Sequence, residues 1–161
     1  MRRLFLAIEI PKYIRSEIAF LSSKLKDSVK GNFVDLDKLH VTVLFIGESK
    51  LSTDQIINII KELRVNIKVN VGGVGVFPDI NKPKVLFIDV KTDIHEIYMD
   101  LCEKLNITPE KQFHPHVTIC RLKQENLDLH KLGELSKFYA SFDAHKLSLF
   151  DSDFRNYHKL Y

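Results

Sequence analysis

Cysteine, glycine, proline and tryptophan are all scarce in this sequence. Its 161 residues include two cysteines, six glycines, five prolines and no tryptophan. The two cysteines, Cys102 and Cys120, form no CxxC pair, which argues against a disulfide framework or a structural zinc cage. The low glycine and proline content excludes a collagen-like or low-complexity chain. The sequence is therefore that of an ordinary globular protein, for which we expect a reducing compartment.

Long apolar runs and a strong charge of one sign are also missing. No run of 18 apolar residues occurs, and the apolar run from Leu4 to Ile8 is too short for the core of a signal peptide. We therefore expect a cytoplasmic protein with no membrane association. The net charge is +3, without a block of five basic residues. This charge is compatible with a phosphate-bearing partner but does not by itself indicate one.

Strand and helix patterns are mixed along the whole chain. Residues 33–34 and 39–46 predict a hairpin, and the glycine-rich residues 72–78 predict a turn. A capping box at Ser52 and Gln55 predicts the start of one helix, and Asp93 is the expected cap of the next. The other predicted strands cover residues 3–8, 65–71, 85–90, 113–122 and 144–150, with a helix after residue 11 and a weak helix over 127–138. Because a strand-helix-strand grouping occurs twice without a linker, we expect one domain of two similar lobes over residues 1–161.

The most informative feature is a repeated four-residue motif. His40-Val-Thr-Val43 and His116-Val-Thr-Ile119 both place threonine two residues after histidine, followed by a β-branched aliphatic residue. Successive side chains of a strand alternate between its faces, so each histidine shares a face with its threonine while the aliphatic residues lie on the other. Two lobes related by an approximate twofold axis would bring both polar faces together across a cleft.

Two imidazoles and two hydroxyls in one cleft suit phosphodiester chemistry. An imidazole titrates near pH 6.5, so one ring can accept a proton from water while the other donates one to a leaving oxygen. The threonine hydroxyls can donate hydrogen bonds to phosphate oxygens. No HExxH motif, carboxylate cluster or Walker A loop accompanies the motifs. We therefore expect neither a metal ion nor another cofactor.

Four sequence segments (phrases) resemble those of the two-histidine phosphoesterase superfamily. More narrowly, they resemble those of the RNA 2′,3′-cyclic phosphodiesterases once called 2′-5′ RNA ligases. The phrases are Arg3-Leu-Phe-Leu-Ala-Ile-Glu-Ile-Pro11, Leu39-His-Val-Thr-Val-Leu-Phe-Ile-Gly47, Gly75-Val-Phe-Pro78 and Phe113-His-Pro-His-Val-Thr-Ile-Cys-Arg121. The resemblance implies a bilobal α+β fold. Each pseudo-symmetric lobe would carry an antiparallel sheet with helices on its outer face, and the catalytic cleft would lie between the sheets.

The same resemblance implies metal-free hydrolysis of an RNA terminal 2′,3′-cyclic phosphate to a 2′-phosphate, with reversible 2′-5′ ligation in vitro for some members. His40 would be the acid and His116 the base, although the opposite assignment stays open. Thr42 and Thr118 would hold phosphate oxygens. The implied partner is an RNA 3′ end, with tRNA fragments as one candidate, and we expect a monomer without an obligate protein partner.

Three further residues are candidates for contact with substrate. Arg121 closes the second motif, but on a regular strand it would point away from His116 unless a bulge turns it. Phe5 lies in the first strand and is a candidate base platform, with core packing as the alternative. His114 lies beside the second motif and is a candidate ligand of substrate or metal. Phe45 is expected in the core.

Two other classes of function compete with this interpretation. A related phosphoesterase could act on ADP-ribose 1″,2″-cyclic phosphate or on a cyclic nucleotide. The protein could instead be an RNA-binding module that holds phosphate ends without cleaving them. A ligase proper is disfavoured, because nothing in the sequence suggests ATP use or a covalent lysine intermediate.

Overall fold

The described part of the chain, taken from a computed structural model, is an α+β arrangement of nine strands and three α-helices. The structure describes residues 3–153 and 156–161. The strands are β1 (Arg3–Glu9), β2 (Gly31–Phe33), β3 (His40–Gly47), β4 (Ile67–Phe77), β5 (Val85–Thr92), β6 (His116–Leu122), β7 (Tyr139–Ala144), β8 (Ser148–Ser152) and β9 (Tyr157–Lys159). The α-helices are α1 (Lys12–Ser23), α2 (Thr53–Glu62) and α3 (His95–Leu105), and 3₁₀ turns cover Leu36–Lys38 and Leu129–Lys137.

The strands form two antiparallel groups that are joined at their centre. The strand order is β7-β4-β5-β6-β3-β1-β8-β9, and β2 pairs with the free part of β6. The first lobe holds β3, β1, β8 and β9, and the second lobe holds β6, β5, β4 and β7. Strands β3 and β6 pair only at Val41 and Val117. The predicted pair of lobes is confirmed, with this contact joining their two sheets into one.

A strand-helix-strand unit recurs in both lobes, as the sequence predicts. Strand β1 leads through α1 to β3, and β5 leads through α3 to β6. In both units the first strand lies antiparallel beside the last. The two strands that carry the motifs therefore occupy equivalent places at the centre of the molecule.

The core lies between the sheet and the helices. Val41, Val43 and Val117 are buried, and they belong to the same cluster as Ile18 of α1 and Leu101 of α3. Apolar burial of this kind is the main favourable term in folding. The aliphatic positions of both motifs thus hold the helices on one face of the sheet and leave the histidines and threonines on the other.

Local capping chemistry fixes the start of α2 and the end of α3. At α2 the Ser52 hydroxyl accepts a hydrogen bond from the Gln55 N–H while the Gln55 side chain accepts one from the Ser52 N–H, which confirms the predicted capping box. Helix α3 ends at Asn106, which adopts a left-handed conformation (φ 55°). Asp93 does not cap this helix, because the helix begins two residues later, after Ile94.

Three elements differ from the prediction because distant pairing outweighs local pattern. Residues 31–33 pair with β6 instead of forming a hairpin with β3. The glycine-rich segment is part of β4, where a bulge between Val71 and Val74 with Gly73 at φ 87° lets the strand continue. The predicted strand over 144–150 covers only the last residue of β7, the connection 145–147 and the first three residues of β8. No helix among the described residues is long and apolar enough to cross a membrane.

Candidate active site

The four motif side chains lie on one face around a local twofold centre. Val41 faces Val117 in antiparallel register. Antiparallel geometry therefore places position 40 on the side of position 118, and position 42 on the side of position 116. Each histidine thus has its own threonine two residues along the strand and the other lobe's threonine across it. All four side chains are half-buried, so they are accessible from the cleft.

The same one-residue bulge follows the threonine in both motif strands. Leu6 and Ala7 of β1 pair with Leu44 and Thr42, which leaves Val43 as the extra residue in β3. Leu86 and Phe87 of β5 pair with Cys120 and Thr118, which leaves Ile119 as the extra residue in β6. A single extra residue reverses the alternation of every side chain beyond it.

This bulge decides where Arg121 and Phe45 point. In β6 the consecutive residues Ile119 and Cys120 are both buried and Arg121 is exposed, so Arg121 lies on the face of His116 and Thr118. Phe45 has the equivalent position in β3 and is 67% exposed. The expectation that Phe45 lies in the core is therefore wrong, since the bulge turns it onto the cleft face.

The ring of His40 is held by its backbone and by an aromatic cluster. Its Nδ1 donates to the Lys38 carbonyl oxygen over 2.7 Å, so Nε2 is the nitrogen left for chemistry. This Nε2 lies 2.9 Å from Thr42 Oγ1, whose hydroxyl can donate to it when the ring is neutral. The rings of Phe5 and Tyr157 lie 5.1 and 5.3 Å from the imidazole.

Burial lowers the pKa of His40 below its ordinary value. The aromatic cluster withholds water from the imidazolium, which outweighs the stabilising hydrogen bond to the Lys38 carbonyl. The nearby charge of His116 lowers the pKa further. The two imidazoles are therefore close enough to interact electrostatically.

The ring of His116 is oriented in the same way by different neighbours. Its Nδ1 donates to the His114 carbonyl oxygen over 2.8 Å, which again leaves Nε2 for the cleft. The rings of Phe77 and Phe87 meet it edge-on at 5.0 and 5.4 Å. Gly75 allows this packing, because a Cβ there would lie 2.5 Å from the Phe87 ring.

The remaining predicted residues occupy distinct positions around the histidines. Phe5 is 2% exposed and packs against His40, so it offers no open face to a nucleobase. The His114 Nε2 lies 2.7 Å from Asp89 Oδ1, and His114 lies two residues before the second motif begins. No group of three His, Cys, Asp or Glu side chains within residues 3–153 and 156–161 is placed to hold a metal ion.

Two carboxylates beside the histidines are missing from the sequence-based site. Glu9 pairs with His40 in the β1–β3 register, and Asp89 pairs with His116 in the β5–β6 register. Burial alone would raise the pKa of Glu9, but hydrogen bonds from Lys159 and Ser148 outweigh it and leave the pKa below its ordinary value. The positions of the Glu9 and Asp89 carboxylates beside the histidines depend on strand register, which no local pattern of the sequence reveals.

Comparison with known proteins identifies the family. Residues 16–155 match the model of the 2′-5′ RNA ligase superfamily. A protein of Methanocaldococcus jannaschii named RNA 2′,3′-cyclic phosphodiesterase is 31% identical over 160 residues, covering 93% of this chain and 91% of that protein. A protein of the same name from Aquifex aeolicus is 32% identical, covering 82% of each chain. The chain therefore belongs to the 2′-5′ RNA ligase superfamily.

Solved structures show the same fold. The crystal structure of TT0787 of Thermus thermophilus matches with a TM-score of 0.76 at 21% identity, covering 99% of this chain and 95% of that one. The structure of Escherichia coli LigT complexed with 3′-AMP matches with a TM-score of 0.75, at the same identity and coverage. These likenesses confirm the two-lobed architecture.

Proposed function

We propose that the protein hydrolyses the terminal 2′,3′-cyclic phosphodiester of RNA to a 2′-phosphate without a metal ion. One observation carries the proposal: His40, Thr42, His116 and Thr118 share one face around the contact between Val41 and Val117. The relatives named RNA 2′,3′-cyclic phosphodiesterase supply the substrate class.

The reaction needs one base and one acid on opposite sides of phosphorus. Nε2 of His116 accepts a proton from water, whose oxygen forms the new bond to phosphorus. The bond from phosphorus to the ribose 3′ oxygen breaks, and Nε2 of the protonated His40 donates its proton to that oxygen. The product is a 2′-phosphate with a free 3′-hydroxyl. The hydroxyls of Thr42 and Thr118 donate to the nonbridging oxygens as charge develops on them.

In the acid role, His40 depends on the bound phosphate to keep its proton, because burial destabilises the imidazolium. An imidazolium destabilised by burial gives up its proton more readily than an ordinary one, and a ribose oxygen is a poor leaving group that needs it. The negative phosphate offsets part of the burial cost and helps His40 hold its proton until bond cleavage. The same groups would join RNA ends through a 2′-5′ linkage where a 5′-hydroxyl replaces water as the nucleophile.

We further propose that residues 1–161 act as one domain, as a monomer in the cytoplasm. Both motif strands come from the same chain and pair with each other, so a second copy adds nothing that this site needs.

The direct test is a product analysis in the presence of EDTA. A short RNA ending in a 2′,3′-cyclic phosphate is incubated with the protein, and the product is compared with 2′- and 3′-phosphate standards by chromatography. The proposal predicts a 2′-phosphate. A 3′-phosphate product, or hydrolysis that stops when EDTA is added, would contradict it. Binding of the RNA without turnover would favour an end-binding module instead.

A further inference from the structure

A cavity of about 650 Å³ lies beyond the cleft, at the end of β6. Its walls are the turn between β4 and β5 and the segment that follows β6. Its lining includes Lys82, Lys84, Leu122, Lys123, Gln124 and Glu125. We call this cavity the lysine pocket. None of the motif residues lines it, so it is separate from the site described above.

The lysine pocket carries a positive charge that other side chains leave largely uncompensated. Lys82, Lys84 and Lys123 line it, against Glu125 as the single lining carboxylate. All three lysines are exposed. Within residues 3–153 and 156–161 they form no ion pair. Three unpaired ammonium groups around a concave surface favour an anionic ligand.

Hydrogen bonds fix both walls of the lysine pocket. Asp79 Oδ1 accepts from the N–H groups of Asn81 and Lys82, which holds the turn between β4 and β5. The Leu122 N–H donates to the Lys84 carbonyl oxygen over 2.8 Å and joins the two walls. The side chain of Gln124 accepts from the Lys30 N–H over 2.7 Å. The lysines therefore project from an ordered backbone, which reduces the entropy lost on binding.

The lysine pocket continues from the cleft along one strand. The Lys123 N–H donates to the Lys30 carbonyl oxygen, which extends the pairing of β2 and β6 past Leu122. Strand alternation then places Lys123 on the side of Arg121. Five residues separate Thr118 from Lys123, or about 16 Å at about 3.3 Å per residue. This length equals about five nucleotides at the stacked spacing of about 3.4 Å per nucleotide.

We propose that the lysine pocket binds backbone phosphates of the nucleotides that precede the RNA terminus. The inference rests on the proposed function, because it places the terminal cyclic phosphate between His40 and His116. The preceding nucleotides leave the cleft past Arg121, and the lysines take their phosphates. The half-buried Leu122 between the lysines gives a ribose or base an apolar surface to lie on. The protein would thus prefer oligonucleotide ends over mononucleotides.

The test compares a mononucleotide with short RNAs. Wild-type protein and the triple variant K82Q/K84Q/K123Q are assayed on adenosine 2′,3′-cyclic phosphate and on RNAs of up to about six nucleotides ending in the same group. The matched control is K24Q/K61Q/K104Q, which removes the same charge from exposed lysines at the helices, behind the sheet. Binding of RNAs with a 2′-phosphate end is measured in parallel by fluorescence anisotropy across salt concentrations.

We expect kcat/KM of the wild type and of the control to rise with RNA length, and the triple variant to lose about tenfold on the longest RNA. Its log-log salt slope should fall by about 2, at about 0.7 for each phosphate contact to a single strand. Equal length and salt dependence in all three proteins would overturn the inference. If no protein turns over any cyclic phosphate but only the triple variant binds RNA weakly, the proposed function fails and the lysine pocket stands.

Discussion

Strands β3 and β6 occupy equivalent places in the two lobes, yet the groups around their histidines differ. Both strands carry the same motif and the same bulge after the threonine, and both histidines donate from Nδ1 to the carbonyl two residues back. The position five residues after the histidine is Phe45 in the first lobe and Arg121 in the second. The backbone framework is thus repeated, while the outer contacts are apolar on one side and cationic on the other.

Both imidazoles contact aromatic rings, but different ones, and their polar neighbours differ as well. His40 packs against Phe5 and Tyr157, and its Nε2 lies beside the Thr42 hydroxyl. His116 lies beside His114, whose ring is engaged by Asp89. A symmetric pair of imidazoles would have no built-in preference for the acid or the base role. Burial lowers the pKa of His40, so the surroundings of this histidine, and not the repeated motif, set its acidity.

Of the changes that test this comparison, removing either imidazole should lower activity most. We expect H40A and H116A each to lower kcat by about 10²- to 10⁴-fold on an RNA 2′,3′-cyclic phosphate, with an unchanged circular dichroism spectrum. A substrate with sulfur as the 3′ bridging atom separates the roles, because a thiolate leaves without a proton. H40A should regain most of its rate on that substrate and H116A should not. Rescue of H116A alone would reverse the assignment, and full activity of either variant on the normal substrate would refute the site.

Removing either threonine hydroxyl should give the next largest loss of activity. Valine keeps the shape of threonine but removes the hydroxyl, so T42V and T118V should each lower kcat/KM by about 10- to 100-fold through lost hydrogen bonds to the charged phosphate. The matched variants T42S and T118S retain the hydroxyl and should keep most of the activity. The readout is steady-state kinetics on the cyclic phosphate substrate. If the valine variants were as active as the serine variants, the hydroxyls would have no part in holding phosphate.

Phe45 and Arg121 test whether the two ends of the cleft make different contacts. We expect F45S and R121Q each to raise KM by about tenfold, since base stacking and a charged phosphate contact are of comparable strength. Only R121Q should also weaken the salt dependence of kcat/KM, because only it removes a charge. KM measured at low and high salt gives the answer. An equal change of salt dependence in both variants would contradict the division into an apolar and a cationic end.

The repeated motif makes much of the site predictable from sequence, but the bulges are not. Alternation within four residues correctly separates His40 and Thr42 from Val41 and Val43, because local geometry governs so short a stretch. It fails five residues after the histidine, where an extra residue reverses the faces. No glycine or proline marks either bulge, since Val43 and Ile119 are ordinary strand formers.

Pairing between distant segments accounts for the other failures. Residues 31–33 pair with β6 because the open part of that strand lies beyond its short contact with β3. Asp89 reaches the second motif through the β5–β6 register, and Glu9 reaches the first through β1. Such registers depend on the packing of the whole sheet. A single sequence can therefore indicate the motif side chains but not the groups that surround them.

The smallest expected effect concerns stability, and it tests the burial that distinguishes His40. Because the pKa of His40 in the folded protein lies below its unfolded value near 6.5, the unfolded chain takes up the proton first as the pH falls. Protonation therefore costs nothing well above pH 6.5 and destabilises the fold progressively below it. The free energy of unfolding of the wild type should fall more than that of H40Q between pH 7.5 and 5, by about 1.4 kcal/mol for each unit of pKa depression. Urea titrations of both proteins at the two pH values isolate this contribution, since groups common to both cancel in the difference. Parallel pH dependence in the two proteins would show that the aromatic cluster does not desolvate His40.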